Sequence, residues 1–455
     1  MRKGNIVVFI FCMYLLMGNT IAFSETAGLV EMASEEEMRD GLIITGPKVM
    51  WKTIINGKLS AGLSTPLCVY EDLCYVFLKG KKSDVQNGYI CAVNSKNGAE
   101  QWVRTVGGIY ENPLFDDNAL YFGSPDGWMY SLSTETGEDL WKKKTENWAS
   151  SGMRVPPIPD EKNIYFGYDD GVLYALDKKT GEEKWQYDVG GTIYARPLLL
   201  EGNLYFGTSA GKIYSVDTQT GEKIWETMIH PDIFFLNFLH EEGKIALLWC
   251  DSPPDERQER TAVSFSVLDV ETGEMKWTTT WETQEVMSWP IAAFNTLFIT
   301  IGKELRALDF DTGQTKWNFM SKNAFYPKLS IKENFLLASE GKYFYAKADT
   351  SSSVYVINCE TGERNWEYEA AGGIEKGTTS SGYLITVSSQ HVTAAGIEKS
   401  TVSFVDESTG EEQGSIVIKE GEIVDQPVVS DGNLFYITTK DQKGNSYIYK
   451  LKWKD

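Results

Sequence analysis

The stretch Ala175-Leu-Asp-Lys-Lys-Thr-Gly-Glu-Glu-Lys-Trp185 decides the fold, because close copies of it recur along the chain. Residues 215–225 read SVDTQTGEKIW, 267–277 VLDVETGEMKW, 307–317 ALDFDTGQTKW and 356–366 VINCETGERNW. Looser copies are AVNSKNGAEQW at 92–102 and SLSTETGEDLW at 131–141, and the most decayed is FVDESTGEEQG at 404–414, where Gly414 replaces the tryptophan. The turn glycines are Gly98, Gly137, Gly181, Gly221, Gly273, Gly313, Gly362 and Gly410, spaced 39, 44, 40, 52, 40, 49 and 48 residues apart. Each copy reads as a tight β-hairpin. The Asp or Asn accepts loop N–H groups, the Gly takes the positive φ that closes the turn, and the Trp lays a large ring against the neighbouring unit.

Two further short strands precede each hairpin. In the fourth unit they are 196–200 and 203–207, followed by 212–217 and 222–225. Four short antiparallel strands per repeat predict an all-β propeller of four-stranded blades. Residues 48–52 read as a fourth strand with no preceding three, and 426–429, 433–438 and 447–451 as three strands with no fourth. Pairing the two ends closes the ring and removes its exposed edges. Eight hairpins plus the composite unit make nine blades, with eight, including one degenerate unit, as the smaller alternative. Trp51, Trp102, Trp141, Trp185, Trp225, Trp277, Trp317 and Trp366 are expected as blade-packing residues.

The chain has 455 residues, is 13% aromatic, and carries a formal charge of −21 from 64 acidic and 43 basic residues. With no basic patch, that balance argues against nucleic-acid binding. Its three histidines, His230, His240 and His391, form no local zinc motif. Met1-Arg2-Lys3, the apolar run 6–17 and the small residues up to Ala22 read as a signal peptide over 1–22, cleaved near Ala22. Export to the periplasm or the cell exterior is therefore expected, with no transmembrane segment in the remaining chain. Residues 23–46 read as an acidic linker and 47–455 as the propeller.

At the repeated hairpins the chain resembles the pyrroloquinoline-quinone-like (PQQ-like) repeat family, whose propellers are typically eight-bladed. That family includes quinone-dependent dehydrogenases and non-catalytic envelope scaffolds, among them the scaffold lipoprotein of the outer-membrane β-barrel assembly machine. The dehydrogenases carry two adjacent cysteines beside the quinone and a calcium ion held by carboxylate and amide ligands. This chain has no Cys-Cys pair, and no calcium constellation can be placed on it. The resemblance therefore implies a non-catalytic propeller with neither cofactor nor metal, scaffolding an envelope protein or polysaccharide. A PQQ- and calcium-dependent dehydrogenase with a divergent site and a carbohydrate-binding propeller are the alternatives.

Length variation concentrates in the second-to-third loops, at 79–87, 251–261, 346–353, 389–400 and 440–446, which marks one face as the binding face. The blade-to-blade loops on that face carry the candidate ligand residues Glu111, Trp148, Arg154, Tyr194, Arg196, His230, Trp289 and Tyr326. Mixed aromatics and charges around a pore mouth suit a stacked sugar or an extended peptide. Asp126-Gly127 reads as an Asx turn. Aligning the first unit on the fourth sets Cys74 opposite Cys91, either as a cross-strand disulfide or as two buried thiols.

Overall fold

The computed structural model describes residues 30–33, 42–45, 47–55, 67–79, 87–107, 109, 113–124, 126–144, 156–167, 171–193, 196–231, 234–250, 261–283, 290–325, 329–340, 352–370, 373–380, 383–393, 396–418, 422–423, 428–429, 434–440 and 446–453. The signal-peptide expectation lies outside them. Among the described residues there is no helix, and none is long and apolar enough to cross a membrane.

Nine antiparallel sheets follow one another along the chain, each built on four strands. Blades 1 to 8 span residues 67–107, 114–144, 158–188, 198–228, 234–283, 291–320, 330–370 and 373–418. Blade 4 is typical: Leu198–Leu200, Asn203–Gly207, Lys212–Asp217 and Lys223–Met228, in spatial order. Blade 9 is composite. Leu434–Lys440 and Ser446–Lys452 come from the chain's end, and Lys48–Ile55 from its beginning pairs with the latter, setting Val49 opposite Leu451 and Thr53 opposite Ile448.

Nine apolar clusters each join two neighbouring blades. An open row of nine blades has eight such interfaces; the ninth closes the ring. At the seam, Leu42, Val49 and Leu451 pack with Phe404 and Ile416 of blade 8, and Trp51 and Ile55 pack with Leu67 and Cys74 of blade 1.

The repeated hairpin fastens these interfaces. The Trp185 indole N–H donates to the Thr218 carbonyl of the next blade at 2.9 Å, while the Thr218 N–H donates to the Gly202 carbonyl at 3.0 Å. The third-to-fourth turn is thus tied both to its own first-to-second turn and to the blade before it. Trp51, Trp102, Trp141, Trp225, Trp277, Trp317 and Trp366 make the same indole bond to a carbonyl of the following blade. The ring of Trp185 also occupies the space a side chain at 221 would need. Gly221 has φ of 72°, and a Cβ there would lie 2.6 Å from Trp185 Cδ2.

Gly414 now has a reason. Blade 9 has no third-to-fourth hairpin for a tryptophan of blade 8 to seat on, because the chain ends lie there. Trp453 reaches in instead, with its ring 4.8 Å from Phe404, and a Cβ on Gly414 would lie 2.4 Å from the Thr45 carbonyl and 2.7 Å from Trp453 Cη2.

The stretch read as an acidic linker supplies two strands. Val30–Met32 pairs with Lys48–Ile55 on the outer edge of blade 9, and Leu42–Thr45 with Glu412–Ile418 on the outer edge of blade 8. A short edge strand inside an acidic segment carries too few apolar residues to show a period, so composition hid both.

Candidate functional site

The blades present two unlike faces. On one, every connection among the described residues is a tight turn. In seven blades a backbone bond ties the third-to-fourth turn to the first-to-second turn, as in Ser95 N–H to Asp72 O and Phe310 N–H to Asn295 O. This face is rich in exposed acids, including Glu71, Asp117, Glu135, Glu201, Glu271 and Glu411. In most of these turns an acid or amide accepts locally, with Ser133 in its place in blade 2: Asp217 Oδ1 accepts the N–H groups of Gln219 and Thr220 at 2.9 and 2.8 Å. The backbone N–H of Thr220, outweighing a small burial effect, holds the Asp217 carboxyl below its usual value. Asp177, Asp269, Asp309 and Asp406 close their own turns in the same way.

The opposite face holds the second-to-third and blade-to-blade connections. Of the candidate residues there, Arg196 and His230 are described, and both are exposed. His230 is held in place: its ring stacks on Trp249 of blade 5 at 5.6 Å, and the Ile229 N–H donates to the Gly211 carbonyl at 2.9 Å. Glu111, Trp148, Arg154, Tyr194, Trp289 and Tyr326 lie outside the described residues. So do most of the residues in the long second-to-third loops. The exception is 389–400, which is no irregular loop: Tyr383–Thr393 and Gly396–Asp406 continue as a hairpin out to Thr393 opposite Gly396. Asp126 forms the expected turn, accepting the Trp128 N–H at 3.1 Å and the Tyr130 hydroxyl at 2.8 Å. Trp128 beside it lies under two cations, Lys142 Nζ at 5.1 Å and Lys144 Nζ at 5.7 Å.

Sequence reasoning missed one well-organised polar group among the described residues of this face. Glu340, 1% exposed, stands at the end of the second strand of blade 7. Its carboxylate accepts the N–H groups of Lys322 at 2.7 Å and Asn323 at 2.9 Å, the Asn323 side-chain amide at 3.0 Å, and the Tyr355 hydroxyl at 2.7 Å. Burial, with Glu340 beside it, pushes the Tyr355 phenol well up, so that it remains a donor. Glu340 thereby anchors the connection that leaves blade 6 for blade 7. A lone Glu closing an apolar strand gave no motif by which to find it.

The cysteine pairing is corrected by the register. Cys74 faces Val93 and Cys91 faces Val76, so the two are diagonal rather than opposite, and both thiols are free. The alignment slipped by one residue: Tyr75, facing Ala92, is the counterpart of Tyr205, facing Ser215. Burial pushes both thiols up to about 12. They sit between blades 9 and 1, a strand apart, where they cannot form an adjacent pair beside a quinone. The eight repeat tryptophans are committed to blade interfaces. Among the described residues no group of three or more His, Cys, Asp or Glu is placed to hold a metal ion.

Residues 86–232 and 261–455 match the family model described as outer membrane protein assembly factor BamB. Among solved structures, BamB from Moraxella catarrhalis is 16% identical, covering 74% of this chain and 96% of its own, with a TM-score of 0.48. Quinohemoprotein alcohol dehydrogenase from Comamonas testosteroni is 12% identical, covering 91% of this chain and 77% of its own, with a TM-score of 0.50. At 12% identity the likeness to the dehydrogenase is one of fold alone. No curated protein sequence matches the chain.

Proposed function

This chain belongs to the family of the outer membrane protein assembly factor BamB, and from that premise we propose that it is an exported, non-catalytic propeller that scaffolds a protein or polymer ligand in the cell envelope. The observation that carries the reading is the ring of nine sealed interfaces. A closed ring holds loops from many blades at fixed separations, so little ordering entropy is lost on binding. The assignment of sides rests on the other face, which carries the longer connections, anchored at Glu340 and His230. Around that mouth, Glu111, Trp148, Arg154, Tyr194, Arg196, His230, Trp289 and Tyr326 are the proposed ligand contacts. Family membership supports a binding role over a catalytic one.

The test is cross-linked affinity capture of the tagged chain from its own envelope fraction, beside a Trp148→Ala, Arg196→Ala, Trp289→Ala triple variant. A small set of proteins captured by the wild type and lost in an equally stable triple variant is the expected result. Identical capture by both would remove the assignment to this face. Retention on immobilised polysaccharide with no protein captured would turn the ligand into a glycan. Dye reduction by the chain loaded with quinone and calcium would restore the enzyme reading.

A further inference from the structure

A propeller's outermost strands are sheet edges, and exposed edges are usually protected by charge or by cover. Both devices are present here. The outer strands of blades 1, 2, 3, 4 and 7 place charges along their length: Arg104 in blade 1, Lys142 to Lys144 in blade 2, Lys184 and Asp188 in blade 3, Glu226 in blade 4, and Glu367 and Glu369 in blade 7. Blade 8 has the longest uncharged run, the six residues 413–418. The chain covers it with its own strand Leu42–Thr45, which sets Leu42 opposite Ile418 and Thr45 opposite Ser415. In blade 9, Val30–Met32 lies on the uncharged end of the edge, with Val30 opposite Ile55 and Met32 opposite Thr53.

The next longest uncharged run is the five residues 277–281 of blade 5, Trp-Thr-Thr-Thr-Trp, within the outer strand Met275–Thr283. Among the described residues nothing pairs with its outer side. This strand is nine residues long, against six for the outer strands of blades 2, 3, 4 and 6. It is also held ready: Thr280 and Thr278 hydroxyls bond to Ser264 and Ser266 at 2.8 and 2.9 Å, and the Trp249 indole donates to Ser266 at 2.9 Å.

We propose that the outer edge of blade 5 docks an extended, uncharged, β-branched segment of a partner protein as a fifth antiparallel strand. The chemistry of the occupant is shown by the molecule itself, which meets its longest uncharged edge with Leu-Ile-Ile-Thr. Main-chain pairing would supply affinity, and the exposed, uncharged Thr278 and Thr280 side chains would sit beside uncharged β-branched neighbours without a charge to repel them. This surface lies on the rim and is separate from the loop-bearing face.

The probe is a fluorescein-labelled peptide of residues 40–47, titrated against the full chain by anisotropy. Thr280→Lys places on this edge the charge that blade 2 carries as Lys144, and Thr280→Glu the charge that blade 7 carries as Glu369, so both variants should fold. Saturable binding that either variant weakens by about tenfold or more, and that the Trp148, Arg196, Trp289 triple variant leaves unchanged, is expected. Absence of binding, or equal binding by Thr280→Lys, would overturn the proposal. So would a concentration-dependent dimer in sedimentation that Thr280→Lys abolishes, since that assigns the edge to a second copy.

Discussion

The pairing of tryptophan with glycine across each blade interface can be tested by a double-mutant cycle at Trp185 and Gly221. Trp185 is half-buried, bonds to the Thr218 carbonyl and lies 5.8 Å from the Tyr165 ring. Truncating it to Ala should cost about 3 kcal/mol, the lower end for a large aromatic, because the ring is not fully enclosed. Gly221→Ala incurs two separate costs. Its φ of 72° penalises any side chain, by roughly 1–2 kcal/mol. Its Cβ would also drive into the indole at 2.6 Å, which adds about 1–3 kcal/mol of overpacking. In the double variant the indole is gone, so the overpacking vanishes and only the φ cost remains. The double variant should therefore be less destabilised than the sum of the singles by about 1–3 kcal/mol. Denaturant midpoints and slopes of the four proteins measure this. Additivity within about 0.5 kcal/mol would show that the indole does not exclude a side chain from position 221, and the packing argument would fail.

Other expectations are more direct. Glu340→Ala leaves three backbone N–H groups, those of Lys322, Asn323 and Ser353, and the Tyr355 phenol without their acceptor, and should cost about 3–5 kcal/mol in chemical denaturation; a loss below about 1 kcal/mol would mean that water replaces the carboxylate. Asp217 titrates below its usual 3.8 in the folded chain, so it contributes stability above that value which disappears as pH falls through the lowered one. Asp217→Asn should leave the neutral-pH midpoint nearly unchanged and make the acid limb of a thermal-midpoint profile shallower; an unchanged acid limb would contradict this. Cys74 and Cys91, pushed up to about 12, and Cys359, pushed up to about 11, should resist maleimide in the native chain at mildly alkaline pH, leaving half-buried Cys68 the fastest of the described thiols. The non-reduced protein should show no mass loss between 74 and 91, and a deficit of two hydrogens there would overturn the register.

The fold was legible because one local motif does two jobs. Asp217, Thr220 and Gly221 close a turn, and Trp225 four residues on fastens the blade to its neighbour, so a hairpin repeat and an interface repeat are read from the same letters. The ring closure was legible for the same reason: 48–52 and 447–451 each lacked the strands that the other had. What resisted reading was what does not repeat. Leu42–Thr45 and Val30–Met32 are single additions with no second copy to reveal them. Glu340 depends on donors from two sequence neighbours, Lys322 and Asn323, that only the fold brings within reach. The cysteine register failed by one residue because Cys74 and Tyr75 both suit a buried strand, and a slip of one exchanges the faces. Of the candidate ligand residues, Arg196 and His230 are described, and both are exposed.

The functional reading depends on a sealed ring, and the seam is where it can be broken. Removing residues 1–55 deletes Trp51 with its bond to Ser95, Val49 and Ile55 from the two seam clusters, and the strands covering blades 8 and 9. At about 1.5–3 kcal/mol per buried apolar side chain, the loss is of the same order as the whole stability of an ordinary domain. A thermal melt of that truncation should show a midpoint far below that of the full chain, or no cooperative transition. A midpoint within about 2 °C of the full chain would show that the ring does not close through its N-terminal strand.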